Sequence, residues 1–238
     1  MADREQALLA RILDLFAERF DKTAILRGGM VLRLLGCPRL TNDLDYVFVP
    51  FRSQKDIVDD VVATLRTIPG SDVTHTVNSQ CLRAVVSVDG VSVQVEAKVA
   101  MAERTTVLST RAMAKENGLP PRLIPVVDYP VALAHKMAAW NERRLVRDLY
   151  DIWFYLRMGV RPAEDVLAGR LRKPAYSRLV PRTERFPGGD VRNFLDFLQS
   201  RANQLTERDF ADSLADYLPP EELAGLAMAV RAELARLV

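Results

Sequence analysis

Residues 81–99 constrain the fold more than any other part of this 238-residue chain. Two runs of alternating apolar and polar residues meet there at Asp89-Gly90, a dipeptide suited to a two-residue type I′ turn, so the stretch reads as an antiparallel hairpin. Strand signals also lie upstream. Residues 23–26 are β-prone and lead into Gly28 and Gly29, after which Met30, Val31, Leu32, Leu34 and Leu35 read as a buried helix closed by Gly36 and Pro38. Residues 44–49 form a second strand, ended by Pro50. Helices are expected beside these strands. Leu8, Leu9, Ile12, Leu13, Phe16 and Phe20 recur at helical spacing over 5–20, and Ser53 with Asp56 resembles a capping box for a helix carrying Ile57, Val58, Val61, Val62 and Leu65.

The pattern then changes. Pro120, Pro121, Pro125 and Pro130 punctuate a connector, and beyond it the helical period dominates: 131–140, then Leu145, Leu149, Ile152, Trp153 and Leu156, then 191–205, 206–217 and 219–237. Between them, 171–187 carries Arg172, Lys173, Arg178, Arg182 and Arg185 among prolines, as an ordered basic loop or a broken helix. The expected class is α+β, a mixed sheet with flanking helices followed by a C-terminal helical bundle, with domains at 1–125 and 126–238. No apolar run approaches the roughly 20 residues of a membrane span, and the N-terminus lacks a signal-peptide layout, which makes a cytoplasmic protein the simplest reading. Cys37, Cys81, His75 and His135 are too few and too scattered for a disulfide framework or a histidine-rich zinc site.

The net charge of +2 hides an asymmetry. Residues 143–192 hold 12 Lys+Arg against 6 Asp+Glu, so this block is strongly basic while the rest of the chain is acidic. Such a block concentrates polyanions near the surface, although charge alone equally describes a solvated Arg-rich face.

Asp43 and Asp45 flank Leu44 at a strand start, which places both carboxylates on one face with Cα atoms about 6.6 Å apart. They read either as two solvated carboxylates or as a pair that shares two Mg²⁺ ions about 4 Å apart, as in nucleotidyl transfer. Their context favours the second. Gly28-Gly29 sits between a strand and a helix just upstream, where bare backbone NH groups at a helix N-terminus can hold the phosphates of a nucleotide. Arg27 in that turn is an exposed strand end or a phosphate contact. Glu96 lies on the polar face of the second hairpin strand with Ser92, Gln94 and Lys98, as a base for an acceptor hydroxyl, a further metal ligand, or a solvated carboxylate. In the helical half, Lys136 can meet a triphosphate while Asp151 orients it or the acceptor. Arg144, Arg147, Asp148, Asp151 and Tyr155 share the stripe opposite Leu145, Leu149, Ile152 and Leu156, where Arg147 and Asp151 also suit an ordinary surface pair.

Three motifs together carry a resemblance: Leu26-Arg27-Gly28-Gly29-Met30-Val31-Leu32-Arg33, Arg39-Leu40-Thr41-Asn42-Asp43-Leu44-Asp45 and Arg147-Asp148-Leu149-Tyr150-Asp151. The chain resembles the AbiEii/AbiGii toxin family, nucleotidyltransferase-like proteins of toxin–antitoxin and phage-defence systems within the DNA polymerase β-type superfamily, over most of 20–160. The resemblance implies a nucleotidyltransferase-type mixed sheet in 1–125 and a helical domain in 126–238 that completes the cleft and contacts the acceptor. It implies that Asp43 and Asp45 bind metal, two Mg²⁺ with an NTP, that Gly28, Gly29 and Lys136 bind the nucleotide, joined by Arg27 where the turn makes it a phosphate contact, and that Asp43, Asp45, Lys136, Asp151 and Glu96 serve catalysis. Relatives often carry a hydroxyl residue at the glycine turn where this chain has Met30. The implied reaction moves a nucleoside monophosphate to an RNA acceptor, the tRNA 3′ end, held through Arg144, Arg147, Arg172, Lys173, Arg178 and Arg182, with an antitoxin protein as partner and no membrane. Two rivals share some of these features: an enzyme that nucleotidylates a small molecule or protein, and a non-catalytic nucleic-acid-binding module.

Overall fold

The computed structural model describes residues 2–175 and 177–237, which divide into two compact units, one ending at Val127 and the other beginning at Asp128. The first unit is a seven-stranded mixed sheet of order β3-β4-β5-β2-β1-β7-β6. Its strands are β1 (Ala24–Arg27), β2 (Asp43–Phe48), β3 (Asp72–Val77), β4 (Leu82–Val88), β5 (Val91–Val99), β6 (Thr105–Ser109) and β7 (Leu123–Val127). β2 runs antiparallel to β1 and parallel to β5, which makes it the strand that joins the expected hairpin to the glycine turn. The hairpin turns at Asp89 (φ 49°) and Gly90 (φ 79°), the two positive angles a type I′ turn needs.

Period-two alternation decides what β2 shows to each side. Leu44, Tyr46 and Phe48 are buried, and Phe16 and Phe20 of α1 (Ala2–Phe20) close over them, with ring centroids 4.9 Å apart for Phe16–Tyr46 and 5.1 Å for Phe20–Phe48. Each such buried aromatic is worth about 3 to 5 kcal/mol against truncation to alanine. Asp43 and Asp45 are left on the opposite, half-exposed side. α2 (Gly29–Leu34) packs beside β1 and β2, α3 (Val58–Arg66) beside β3 and β4, and α4 (Arg111–Glu116) leads toward β7. The Ser53–Asp56 capping box is present, but it caps a short 3₁₀ turn ahead of α3.

Three strands were not expected from the sequence: β3, β6 and β7. The proline-punctuated connector is in part strand, for Pro125 lies within β7. A boundary at 125 would cut that strand, and the observed division follows its last residue.

The second unit is helical: α5 (Tyr129–Arg143), α6 (Val146–Arg157), α7 (Glu164–Arg172), α8 (Val191–Ala202), α9 (Glu207–Leu214) and α10 (Leu226–Ala235). α5 packs on α6 and α7, and α6 on α9 and α10. α7 was not expected from the sequence, and the helix expected over 219–237 is instead a 3₁₀ turn followed by α10. Among the described residues no helix is long and apolar enough to cross a membrane.

Candidate active site

In the first unit the expected residues meet through strand register. Arg27 of β1 stands opposite Asp45 of β2, Asp45 opposite Glu96 of β5, and Glu96 opposite Arg83 of β4, so four side chains form one row across the sheet. Asp43 begins a parallel row with Gln94. Glu96 is therefore a cross-strand neighbour of the aspartate pair on the same face. Its Oε1 accepts from Arg83 Nε (2.9 Å) and Nη2 (2.6 Å) and from Gln94 Nε2 (3.1 Å). Arg83 was missed at the sequence level, yet counting back from the Asp89-Gly90 turn places it opposite Glu96.

The glycine turn is pressed against the aspartates. Gly28 has φ 77° and ψ −152°, a conformation open to glycine, and a Cβ there would lie 2.2 Å from Asp45 Oδ2. A Cβ on Gly29 would lie 2.8 Å from both Arg39 Nη2 and Thr41 Oγ1. The two glycines thus let the β1–α2 turn nest onto the acidic strand. α2 is only six residues long, so a dipole contribution to phosphate binding is small and any phosphate would rely on individual backbone NH groups. Met30, in place of a hydroxyl residue, is fully buried in the core. Thr41 Oγ1 donates to Asp43 Oδ1 at 2.7 Å, and Thr41 is itself buried.

No group of three or more His, Cys, Asp or Glu among the described residues converges as a metal site. Two carboxylates on one face suit a cation completed by phosphate oxygens and water, which is how Mg²⁺ is usually held. Arg83 and Gln94 both bond Glu96 Oε1, and among the described residues no hydrogen bond reaches its Oε2.

In the second unit Lys136 Nζ donates to Asp151 Oδ2 at 2.5 Å; the lysine side chain is 19% exposed and the aspartate 1%. Asp151 thus belongs to a buried pair with Lys136 and not to a surface pair with Arg147. Asp148, also buried, takes Arg143 in a fork, Nε at 3.2 Å and Nη2 at 2.7 Å. Burial pushes the Asp148 carboxyl up from its ordinary value, and the nearby positive charges of Lys136 and Arg143 only partly offset it. The stripe carrying Asp148, Asp151 and Tyr155 is therefore an interior one. Its polar residues face partners on α5, which a helical-wheel reading of α6 alone does not reveal.

The basic block splits into fixed and displayed residues. Arg144 (φ 55°) ends α5 and is spent locally: its guanidinium donates to the carbonyls of Trp140, Asn141 and Glu184 and lies 4.3 Å over the Trp140 ring and 5.0 Å over Phe197. Burial, then repulsion from Arg201, lowers its pKa to about 10. This corrects the expectation that Arg144 contacts an acceptor, because a guanidinium with its donors committed to carbonyls has few left for phosphate. Arg185 is buried and donates to the carbonyls of Ala175, Ser177 and Val180, and Asn141 exchanges hydrogen bonds with the Phe186 backbone. Glu142 holds Arg170 and the Ala175 NH, both at 2.7 Å. These ties hold the segment that follows α7, and Arg172 at the end of α7 with Lys173, Arg178 and Arg182 beyond it are exposed. Arg147 lies 5.9 Å over the Tyr217 ring.

The family described as nucleotidyl transferase AbiEii toxin, type IV TA system, matches residues 8–232. Among solved structures, MenT4, a nucleotidyltransferase toxin from Mycobacterium tuberculosis H37Rv, superposes with a TM-score of 0.67 at 18% identity, covering 99% of this chain and 83% of that one. JHP933 from Helicobacter pylori gives a TM-score of 0.58 at 16% identity, covering 99% and 91%. None of the functionally curated proteins is a significant sequence match. With a family match across nearly its whole length, the α+β fold shared with a nucleotidyltransferase toxin, and the paired aspartates set against a glycine turn, the chain belongs to the AbiEii family of nucleotidyltransferase toxins.

Proposed function

We propose that this nucleotidyltransferase moves a nucleoside monophosphate from an NTP to the 3′ end of an RNA, with tRNA as the acceptor, in the cytoplasm and under the control of an antitoxin protein. The observation that carries the reading is the pair Asp43 and Asp45, half-exposed on one face of β2 with the Gly28-Gly29 turn nested against them. In this reading the two aspartates would hold Mg²⁺, two ions with the nucleotide, and the metal would offset the negative charge of the phosphates as pyrophosphate leaves. Arg27 and the glycine NH groups contact the phosphates. Lys136, with Asp151 holding one of its three N–H donors, offers the others to the triphosphate. Glu96, its Oε1 taken by Arg83 and Gln94, accepts the acceptor hydroxyl's proton on Oε2, so that the oxygen attacks the α-phosphorus as the bond to pyrophosphate breaks. Arg172, Lys173, Arg178 and Arg182, with Arg147, contact acceptor phosphates.

Incubation with each labelled NTP, Mg²⁺ and total RNA tests the reading. Label is expected on an RNA of tRNA size, at its 3′ terminus. Label on protein or on a small molecule would overturn the RNA acceptor, and label on nothing with every NTP would overturn the donor chemistry.

A further inference from the structure

We propose that Thr41 is a positioning residue for the reaction: its hydroxyl fixes Asp43 so that one carboxylate oxygen is committed to Thr41 and the other is left for a divalent cation. The inference rests on the functional reading above. Thr41 lies in the segment between α2 and β2, outside either element, so no strand geometry sets its side chain. Three contacts set it instead. Its carbonyl accepts from Gln6 Nε2 of α1 at 3.1 Å, its Oγ1 lies where a Cβ on Gly29 would come within 2.8 Å, and that same Oγ1 is 2.7 Å from Asp43 Oδ1. The threonine is 7% exposed, so water does not compete freely for the bond.

A hydroxyl that meets an ionised carboxylate donates to it. The bond removes a side-chain rotation from Asp43 and fixes which of its oxygens faces the glycine turn. Among the described residues Asp43 Oδ2 accepts no hydrogen bond, which leaves it open. The same hydroxyl stands at the glycine turn, where a Cβ on Gly29 would collide with it. A donor on one oxygen and a cation on the other is the usual way in which outer partners orient metal-binding carboxylates.

The test compares Thr41→Val, which keeps shape and deletes the donor, with Thr41→Ser, which keeps the donor. Mn²⁺ binding is titrated by electron paramagnetic resonance, without nucleotide and with a non-hydrolysable NTP, and transfer is measured as separate kcat and KM for the NTP. The expected result for Thr41→Val is Mn²⁺ affinity weakened roughly tenfold or more, kcat lowered with KM for the NTP little changed, and a thermal midpoint near that of the unsubstituted protein. Thr41→Ser restores affinity and kcat, and in an Asp43→Asn background Thr41→Val has no further effect on Mn²⁺. Unchanged Mn²⁺ affinity in Thr41→Val, or equal losses in the Val and Ser variants, would overturn the assignment while leaving the nucleotidyl-transfer reading intact. Failure of the unsubstituted protein to bind Mn²⁺ even with a non-hydrolysable NTP present would overturn both.

Discussion

At the scale of single residues, position 28 is decided by two constraints that act together. Gly28→Ala forces an L side chain into a φ of 77° and sets its Cβ 2.2 Å from Asp45 Oδ2, so either the turn or the aspartate must move. The backbone strain alone is worth about 1 to 3 kcal/mol, and displacement of Asp45 removes half of the acidic pair. Gly70→Ala is the matched control: φ is 72° there and nothing lies within 4 Å of the added carbon. Both variants should lose stability in denaturant melts, while only Gly28→Ala should also lose nucleotidyl transfer; equal activity in the two would separate the turn from catalysis. Tyr46, next along the strand, has the opposite problem. Its hydroxyl is buried without a hydrogen-bond partner among the described residues, and burial drives its pKa far upward. Tyr46→Phe should leave stability unchanged or raise it by about 1 kcal/mol, because an unsatisfied buried hydroxyl costs more than the phenyl ring that replaces it. A clear loss in thermal or denaturant unfolding would show that the hydroxyl is satisfied in solution.

At the scale of elements, legibility followed how local the information was. The hairpin could be read because its turn dipeptide and both of its alternating runs are contiguous, and its register extends to the Arg83–Glu96 pair. β2 could be read from the same alternation, which also placed Asp43 and Asp45 on one face. β3, β6 and β7 could not. Asp72–Val77 is mostly exposed and buries Val73 alone, Thr105–Ser109 is a sheet edge, and Leu123–Val127 contains a proline that argues against a strand until β1 and β6 are seen on either side. The site was legible where it is built from one strand and one turn. It was not legible on α6, where the polar stripe is buried against α5. That burial has a measurable consequence at Asp148. Its folded-state pKa lies above the unfolded value, so its contribution to stability is full below about pH 4 and is lost as pH rises through the folded pKa, the reverse of an ordinary ion-paired aspartate. Asp148→Asn removes this contribution. Over the range upward from about pH 4, the stability of the variant should rise more steeply, or fall less, than that of the unsubstituted protein in denaturant melts at stepped pH; parallel curves would mean that the Arg143 fork cancels the cost of burial.

At the scale of the whole molecule, the basic block divides into arginines that hold the loop and arginines that the loop displays. Arg144 and Arg185 belong to the first group, with their donors on backbone carbonyls; Arg172, Lys173, Arg178 and Arg182 belong to the second. A contact to phosphate carries no base information and releases counterions, so its signature is the salt dependence of binding. Replacing the four displayed residues with neutral ones should weaken RNA binding without altering base preference, and should flatten the salt slope by roughly 0.7 per lost contact on a single-stranded end or about 0.9 on a duplex. Stability should be nearly unchanged, because exposed arginines contribute little to it. Arg144→Ala should do the reverse. It strips three carbonyls of their donor and two rings of their cation, a loss of about 2 to 3 kcal/mol in unfolding, with a salt slope that matches the unsubstituted protein wherever the variant is folded. The two variants read against each other decide the acceptor. If the fourfold replacement leaves the salt slope and RNA transfer as they were, the displayed residues are a solvated face, and a small molecule or protein takes the place of RNA as the acceptor. If it flattens the slope while NTP turnover on a short, weakly charged acceptor persists, donor and acceptor functions rest on separate residues, the second displayed by a segment whose carbonyls Arg144 and Arg185 hold.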